Sequence, residues 1–284
     1  MRAFFLAAAL ALTTTAATAS EPPNARAAFV ERRGLIESDA QCRLFNRDMR
    51  AALEAGAGQA RGALLRAGWS RAQLGELEQA VVAAARARRC DDQRTLAAAA
   101  EARTGFATWM RSNRVDFEGW ARTWSTRRVA ASDGWRLRQD IDTPARATFG
   151  IRESGGARRL VLMLQLARGE TPPATAHLAM RDSSRTNAPE IALQQRISFG
   201  LNAGVPSPSQ AMLSYPSTRT SESTPRGASF AVFAFPDAAF VSLLALDPRE
   251  SVEIVLQGAR GARRLLVEVG DVAAARSFLL IGAG

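Results

Sequence analysis

Four of the five tryptophans lie within 27 residues and could stack against a glycan or a peptide: Trp109, Trp120, Trp124 and Trp135. Aromatic residues at helical spacing more often pack in a core or between domains, and we favour that interpretation here. Exposure distinguishes the two alternatives, because a buried cluster stabilises the fold whereas an open cluster can hold a ligand.

Arginine supplies every positively charged side chain, because all 37 basic residues are arginine. The segment 156–161 resembles the segment 261–266, and each is predicted to form a hairpin turn that leads into the next strand. The candidate binding residues at these two tips are Arg158, Arg159, Arg263 and Arg264. The alternative, two solvated turns in a chain rich in arginine, is the interpretation that we favour. The excess charge of +10 is spread along the chain, and spread charge attracts polyanions only weakly, so a nucleic acid partner is not expected.

Several catalytic chemistries are excluded by composition. A chain with no lysine forms no Schiff base, Ser-Lys dyad or lysine-containing phosphate loop. The common catalytic zinc sites need more ligands than the single histidine, His177, can supply. A Ser-His-Asp site would also have to use His177, and no Gly-x-Ser-x-Gly nucleophile elbow precedes it. We therefore predict no metal and no cofactor. Paired carboxylates stay open, since they need no fixed spacing, with Glu118, Glu153, Asp182 and Glu190 as possible members.

The amino-terminal 19 residues predict where the protein works. Arg2 precedes a short apolar run over residues 3–12, and Ala17-Thr18-Ala19 fits the small-x-small cleavage rule. The run has about half of the roughly 20 apolar residues that a membrane span needs. We predict a cleaved signal peptide over residues 1–19, a periplasmic or secreted protein, and no transmembrane segment after cleavage.

Two cysteines remain after this cleavage, Cys42 and Cys90. In an oxidising compartment a single disulfide between them is the default expectation. Their spacing differs from the Cys-x-x-Cys pattern of catalytic redox pairs, which indicates a structural bond. We predict that it closes the open end of a helical hairpin.

Residues 20–132 are predicted to form a helical domain. Apolar side chains keep helical spacing from a start at Ser38 or Asp39 to a glycine cap at Gly68. Residues 70–73 form a capping box, and Asp91 or Asp92 can begin a third helix. A last helical piece is predicted at residues 117–124, where Phe117, Trp120 and Trp124 are spaced by three and four.

Residues 133–284 are predicted to form an antiparallel β-sandwich-like domain, which makes the chain an α+β protein. Alternating apolar residues mark strands at 135–141, 149–151, 160–166, 176–180, 191–199, 230–235, 252–256 and 265–269. Short helices should begin near Asp237 and Asp271. Residues 203–227, rich in Pro, Ser and Thr, predict a long loop with a short strand at 211–215. Tyr215 lies in this loop and is a further candidate binding residue.

The carboxyl-terminal part resembles the invasion-associated locus B group of secreted bacterial proteins. The similar segments are 235–240, 243–246, 252–256, 258–261 and 269–279, and the order of strands extends the likeness to residues 133–281. The resemblance implies a β-sandwich envelope protein with no known catalytic residues. No such resemblance is found for the helical half.

These observations predict a non-enzymatic binding or envelope-associated protein. Its partner would be an envelope protein or an anionic envelope component such as lipid or lipopolysaccharide. Two alternatives stay open: a carboxylate-based glycan or peptidoglycan hydrolase, and a structural subunit of an envelope complex.

Overall fold

The computed structural model describes residues 24–189, 191, 212–223, 228–259 and 261–282. Within these residues the chain forms six α-helices and eleven β-strands, and the paired strands are antiparallel. The predicted α+β fold class is confirmed. The predicted signal peptide, and the predicted strand at 191–199 apart from its first residue, lie outside the described residues.

Four helices form the amino-terminal part: α1 Ala25–Cys42, α2 Arg47–Arg66, α3 Arg71–Arg86 and α4 Gln93–Arg111. The predicted capping box is present at the start of α3, where the Ser70 hydroxyl accepts from the Gln73 backbone and the Gln73 side chain accepts from the Ser70 backbone. At the start of α4, the Asp92 carboxylate accepts the Thr95 N–H. Gly68 follows α2 with a left-handed φ of 95°, as a glycine cap requires.

The prediction of one continuous helix over residues 38–67 is wrong, because the chain breaks between α1 and α2. Arg43 takes a left-handed φ of 54°, which an α-helix does not accommodate. The Asp39 carboxylate accepts the Phe45 N–H at 2.8 Å and holds the turn, and the Asn46 side chain caps the start of α2.

The disulfide between Cys42 and Cys90 is formed, with 5.4 Å between the two Cα atoms. Cys42 ends α1 and so lies just before α2, the first arm of the predicted hairpin, while Cys90 follows α3. Helix α3 runs parallel to α1. Arg33 pairs with Glu78, and Glu37, one turn later in α1, pairs with a later residue of α3. The bond therefore joins the carboxyl-terminal ends of two parallel neighbouring helices.

The strands form two sheets. The larger sheet contains β1 Arg114–Glu118, β2 Thr123–Arg127, β3 Trp135–Ile141, β4 Ala147–Ser154, β5 Ala157–Leu166, β8 Thr218–Ser223 and β9 Ser229–Phe235. The smaller sheet contains β6 Thr175–Arg181, β7 Met212–Pro216, β10 Ser251–Gly258 and β11 Gly261–Glu268. Their strand orders are β1-β2-β3-β4-β5-β9-β8 and β11-β10-β6-β7. Ser217 alone separates β7 from β8, so the chain passes directly from one sheet into the other.

Strands β1 and β2 occupy residues that the sequence predicted as a last helical piece, and that prediction is wrong. Phe117 pairs directly with Trp124 across the hairpin, and both side chains are fully buried. The Glu268 carboxylate accepts the backbone N–H groups of residues 120–122, which satisfies the donors of the turn. The large sheet thus begins before residue 132, where the predicted helical domain ends. The division of the chain into a helical domain and a β domain stays a prediction.

The prediction for residues 203–227 is right for one described stretch and wrong for the other. Residues 212–216 form β7, which confirms the predicted short strand, and residues 218–223 form β8. The remaining residues of the segment lie outside the described part of the chain.

The main hydrophobic core lies between the two sheets. Its fully buried side chains include Phe149, Leu162, Leu178, Phe233 and Ile254. The two predicted short helices are present as α5 Asp237–Leu244 and α6 Val272–Leu279, and both contribute buried residues to this core.

Helix α2 packs on α6 and thereby joins the helices to the sheets. A Cβ atom added at Gly58 would lie 2.9 Å from the Cβ of Ala274, so a residue without a side chain lets the two helices approach. Arg66 donates to both carboxylate oxygens of Asp271 at 2.8 Å. The helical part is therefore held to the sandwich by close packing and by a buried ion pair.

Candidate functional site

The four clustered tryptophans do not form one groove. Trp124 is fully buried, and its indole N–H donates to the backbone carbonyls of Glu268 and Val269. Trp135 is buried in a small cluster on the other face of the large sheet. Trp120 is 36% exposed at the β1–β2 turn. Trp109, half-buried on α4, lines an open cleft.

The two predicted arginine tips lie at opposite ends of the sandwich. Arg158 and Arg159 begin β5, and Arg158 pairs with Glu153 at 3.0 Å. Arg263 reaches Glu170, which follows the far end of β5. Because β5 has 10 residues, the two tips are roughly 30 Å apart along the strand direction. Arg264 pairs with Glu253 on the neighbouring strand, so the tips do not combine into one anion-binding surface.

Tyr215 holds two elements together. It lies in β7 opposite Leu178, and its hydroxyl is 2.7 Å from the hydroxyl of Ser242 in α5. The ring packs against the main core. This placement gives Tyr215 a role in fixing α5 on the small sheet.

Helices α1, α2 and α4 surround a cleft of about 460 Å³, which we call the Arg32 cleft. Its lining residues are Glu31, Arg32, Gly56, Gln59, Glu101, Ala102, Gly105, Phe106 and Trp109. The two aromatic rings lie three residues apart on α4 and meet edge to face, with 5.6 Å between their centroids. Trp109 also contacts Phe278 of α6 edge to face, which fixes the orientation of its indole.

Arg32 is the charged group most enclosed by this cleft. Its guanidinium carbon lies 5.5 Å from the centroid of the Phe106 ring, and one of its nitrogens donates to the Gly56 carbonyl at 2.7 Å. Burial lowers the pKa of the Arg32 guanidinium, and the neighbouring Glu31 partly opposes that shift. Among the described residues, Arg32 forms no ion pair. The guanidinium therefore keeps capacity for an anionic group.

Gly56 allows Arg32 and Phe106 to come together. A Cβ atom at this position would lie 3.0 Å from the Phe106 ring and 3.2 Å from the Cδ of Arg32. A glycine inside α2 lowers helix stability by about 1 kcal/mol relative to alanine. Here its lack of a side chain lets the half-buried arginine and the half-buried ring lie side by side.

Two buried carboxylates with unusual surroundings lie outside this cleft. Burial, the largest influence, raises the pKa of Asp271 to about 6, although Arg66 opposes the shift. Its carboxylate is enclosed between Arg66 and Gly62, where an added Cβ would collide with it. Glu268 is buried and accepts backbone N–H groups of the β1–β2 turn. Both carboxylates hold the fold together and are closed to a substrate.

The carboxylates named for a hydrolase are placed separately. Glu118 is exposed in β1, Glu153 pairs with Arg136 and Arg158 at the β4–β5 end, and Asp182 accepts from Ser184 after β6. Glu190 lies outside the described residues. In the described part of the chain, no group of three His, Cys, Asp or Glu side chains could hold a metal ion. Nor does any described helix combine the length and apolar character needed to cross a membrane.

Comparisons with family models, curated proteins and solved structures found no match to this chain. The resemblance of residues 133–281 to the invasion-associated locus B group stays a prediction.

Of the residues that line the cleft, Trp109 was predicted as a site residue from the sequence, whereas Arg32 and Gln59 were not. Arg32 precedes residue 38, where the first helix is predicted to begin, whereas α1 begins thirteen residues earlier, at Ala25. The signal that could have placed it is the spacing of seven residues between Phe29 and Ile36, which puts both side chains on one face of a helix.

Proposed function

We propose that the protein is an exported, non-enzymatic binding protein of the periplasm and that the Arg32 cleft is its ligand site. The observation that carries this proposal is the half-buried Arg32 guanidinium, which lies over an aromatic ring without a carboxylate partner among the described residues.

The lining of the cleft specifies the chemistry of the ligand. A guanidinium binds a carboxylate through paired hydrogen bonds, so Arg32 selects an acidic group. Phe106 and Trp109 offer aromatic surface on which the apolar face of a sugar ring packs. Gln59 and Glu101 provide hydrogen-bonding groups for hydroxyl or amide substituents. A peptidoglycan fragment, with sugar rings and a carboxylate-bearing peptide, combines these features.

The direct test is a pair of matched glycine substitutions. A Cβ atom at Gly105, which lines the cleft, or at Gly75 in α3, which does not, would meet nothing within 4 Å. Gly105→Met should fill the cleft and weaken binding of purified disaccharide-peptide fragments about tenfold or more, equivalent to at least 1.4 kcal/mol. Isothermal titration calorimetry measures the change.

Gly75→Met is the control for this experiment. Both substitutions replace a glycine inside a helix with a better helix former and should leave the protein folded and slightly more stable. We expect Gly75→Met to bind the fragments like the wild type. Absence of binding to the wild-type protein, or equal weakening by both substitutions, would contradict the proposal.

The peptidoglycan hydrolase remains an alternative class, and the same fragments test it. A binding protein returns the disaccharide-peptide unchanged after prolonged incubation, whereas a hydrolase shortens it. Chromatography of the fragments after incubation with the purified protein separates these outcomes.

A further inference from the structure

The Arg32 cleft carries charges of both signs. Arg32 is the one basic residue of its lining, and Glu31 and Glu101 supply two carboxylates. One positive and two negative side chains give the lining a formal charge of −1, so a purely anionic ligand would meet net repulsion around its binding partner. A ligand that has a positive group as well as a carboxylate complements this lining better than a simple anion does.

The two carboxylates of the lining differ in their surroundings. Glu31 precedes Arg32 on α1, and its charge already acts on the Arg32 guanidinium. Glu101 lies on α4, and within the described part of the chain it forms no ion pair. Glu101 is therefore the carboxylate of the lining that is available to a cationic group.

An open space lies next to Glu101 on the same face of α4. Glu101, Gly105 and Trp109 follow one another at intervals of four residues and all line the cleft. A Cβ atom at Gly105 would meet nothing within 4 Å, so close packing does not require a glycine there. Since glycine weakens a helix interior relative to alanine, its presence here is explained by the space that it leaves in the cleft.

This space lies between a carboxylate and an aromatic ring. The Cα atoms of Glu101 and Trp109 are each about 6 Å from that of Gly105 along the helix axis. An ammonium group in the space can accept the charge of Glu101 and lie against the indole of Trp109, which attracts cations. Arg32 approaches α4 one residue beyond Gly105, with its guanidinium carbon 5.5 Å from the centroid of the Phe106 ring. One small ligand can thus contact Glu101 and Arg32 together.

We propose that Glu101 binds an ammonium group of the ligand while Arg32 binds its carboxylate, so that the cleft selects a zwitterionic ligand. This inference rests on the proposed function of the Arg32 cleft and names the group that the cleft recognises. A carboxylate binds an ammonium through charge-assisted hydrogen bonds, which are stronger than its bonds to neutral hydroxyl or amide groups. In a peptidoglycan fragment, the matching group is a diamino acid of the peptide with its free amine beside a carboxylate.

A disaccharide-peptide that contains such a diamino acid provides the probe, in its native form and after acetylation of the free amine. Acetylation removes the positive charge and leaves the sugars and the carboxylates in place. Because Glu101 is exposed, we expect acetylation to weaken binding to the full mature chain by about three- to fivefold. Isothermal titration calorimetry at low salt measures the change, and equal binding of the two forms would overturn the proposal.

Glu101→Gln separates the lost charge from the added bulk of the acetyl group. The variant should bind the native fragment as weakly as the wild type binds the acetylated fragment, and acetylation should no longer change its affinity. The control is Glu76→Gln, which makes the same charge change at an exposed position of α3 outside the cleft and should behave like the wild type. Equal weakening by acetylation in the wild type and in Glu101→Gln would overturn the proposal, because it would reflect bulk alone.

The remaining outcomes distinguish this inference from the proposed function. If both forms bind the wild type equally and Gly105→Met weakens both, the cleft is the ligand site but does not recognise the amine, and only this inference fails. Binding of neither form would overturn both. If Glu31→Gln rather than Glu101→Gln abolishes the effect of acetylation, the amine is bound on α1 and the assignment to Glu101 is overturned.

Discussion

At the scale of single residues, arginine has two different roles in this fold. Several arginines form buried ion pairs with carboxylates. Because arginine is spread along the whole sequence, the sequence alone does not indicate which arginines are buried. Arg181 donates to both carboxylate oxygens of Glu250 at 2.7 and 2.9 Å, and Arg249 pairs with Asp247. Buried pairs of this kind cost desolvation, and removal of one partner leaves the other charge uncompensated. Arg32 differs from these arginines because the Phe106 ring and the Gly56 carbonyl, and not a carboxylate, lie against its guanidinium.

The buried Asp271 gives a prediction at this scale. Its folded pKa of about 6 lies above the ordinary value of 3.8, so the folded state holds the proton more tightly. The contribution of Asp271 to the free energy of unfolding is therefore greatest below about pH 4 and is lost as the pH rises through 6. Relative to the wild type, Asp271→Asn should gain on the order of 3 kcal/mol between pH 4 and pH 7.

Urea unfolding of both proteins across this pH range measures the difference. The substitution keeps the size of the side chain, so packing against Gly62 is preserved. A stability difference that is constant with pH, or that changes in the opposite direction, would contradict the raised pKa.

The tryptophans show which site residues the sequence could identify. Their clustering in sequence does not correspond to one place in the fold, but core packing, the favoured interpretation, is what Trp124 and Trp135 do. Which of the four lines an open cleft depends on how the helices cross, and composition does not contain that information. Trp109 differs from the other three because it lines a cleft together with Arg32, which lies 77 positions earlier in the sequence on a different helix.

At the scale of elements, the sequence predicted most strands of the sandwich, because apolar residues alternate along them, but it did not predict β8, whose residues are mostly exposed. The β1–β2 hairpin was read as a helix for a specific physical reason. A tight turn between Phe117 and Trp124 leaves the aromatic residues three and four positions apart, which imitates helical spacing. The acceptor that satisfies this turn, the Glu268 carboxylate, comes from a distant strand and so left no local signal.

The disulfide gives the prediction for this scale. Cys42 and Cys90 are 48 residues apart in the sequence, and for a disulfide that closes a loop of this length the chain-entropy model gives about 4 kcal/mol of stabilisation. The double substitution Cys42→Ser and Cys90→Ser should lower the free energy of unfolding by up to this amount. Chemical denaturation of the oxidised wild type and the double variant measures it.

A reductant provides the control, because it should destabilise the wild type and leave the double variant unchanged. Equal stability of the oxidised wild type and the double variant would mean that the bond adds nothing to the helical packing. Loss of stability is expected to begin in α3, which is held mainly by its contact with α1.

At the scale of the whole molecule, the helical part and the sandwich share one core. Ala51, Ala52 and Ala55 of α2 pack with the buried residues of the two sheets. Trp109 belongs to both regions, since it lines the cleft between helices and contacts Phe278 of α6. The Arg32 cleft is thus built on elements that the sandwich holds in place.

The measurement that most directly tests the proposed ligand site is a titration of the wild-type protein with peptidoglycan disaccharide-peptide, followed by NMR of the indole N–H groups. The chain has five tryptophans and so five indole signals, which Trp→Phe substitutions assign. We predict a saturable shift of the Trp109 signal, with Trp124 and Trp135 unmoved in the core. A Trp109 signal that stays fixed while the fragment binds, or that shifts no more than Trp120, would contradict the assignment of the Arg32 cleft.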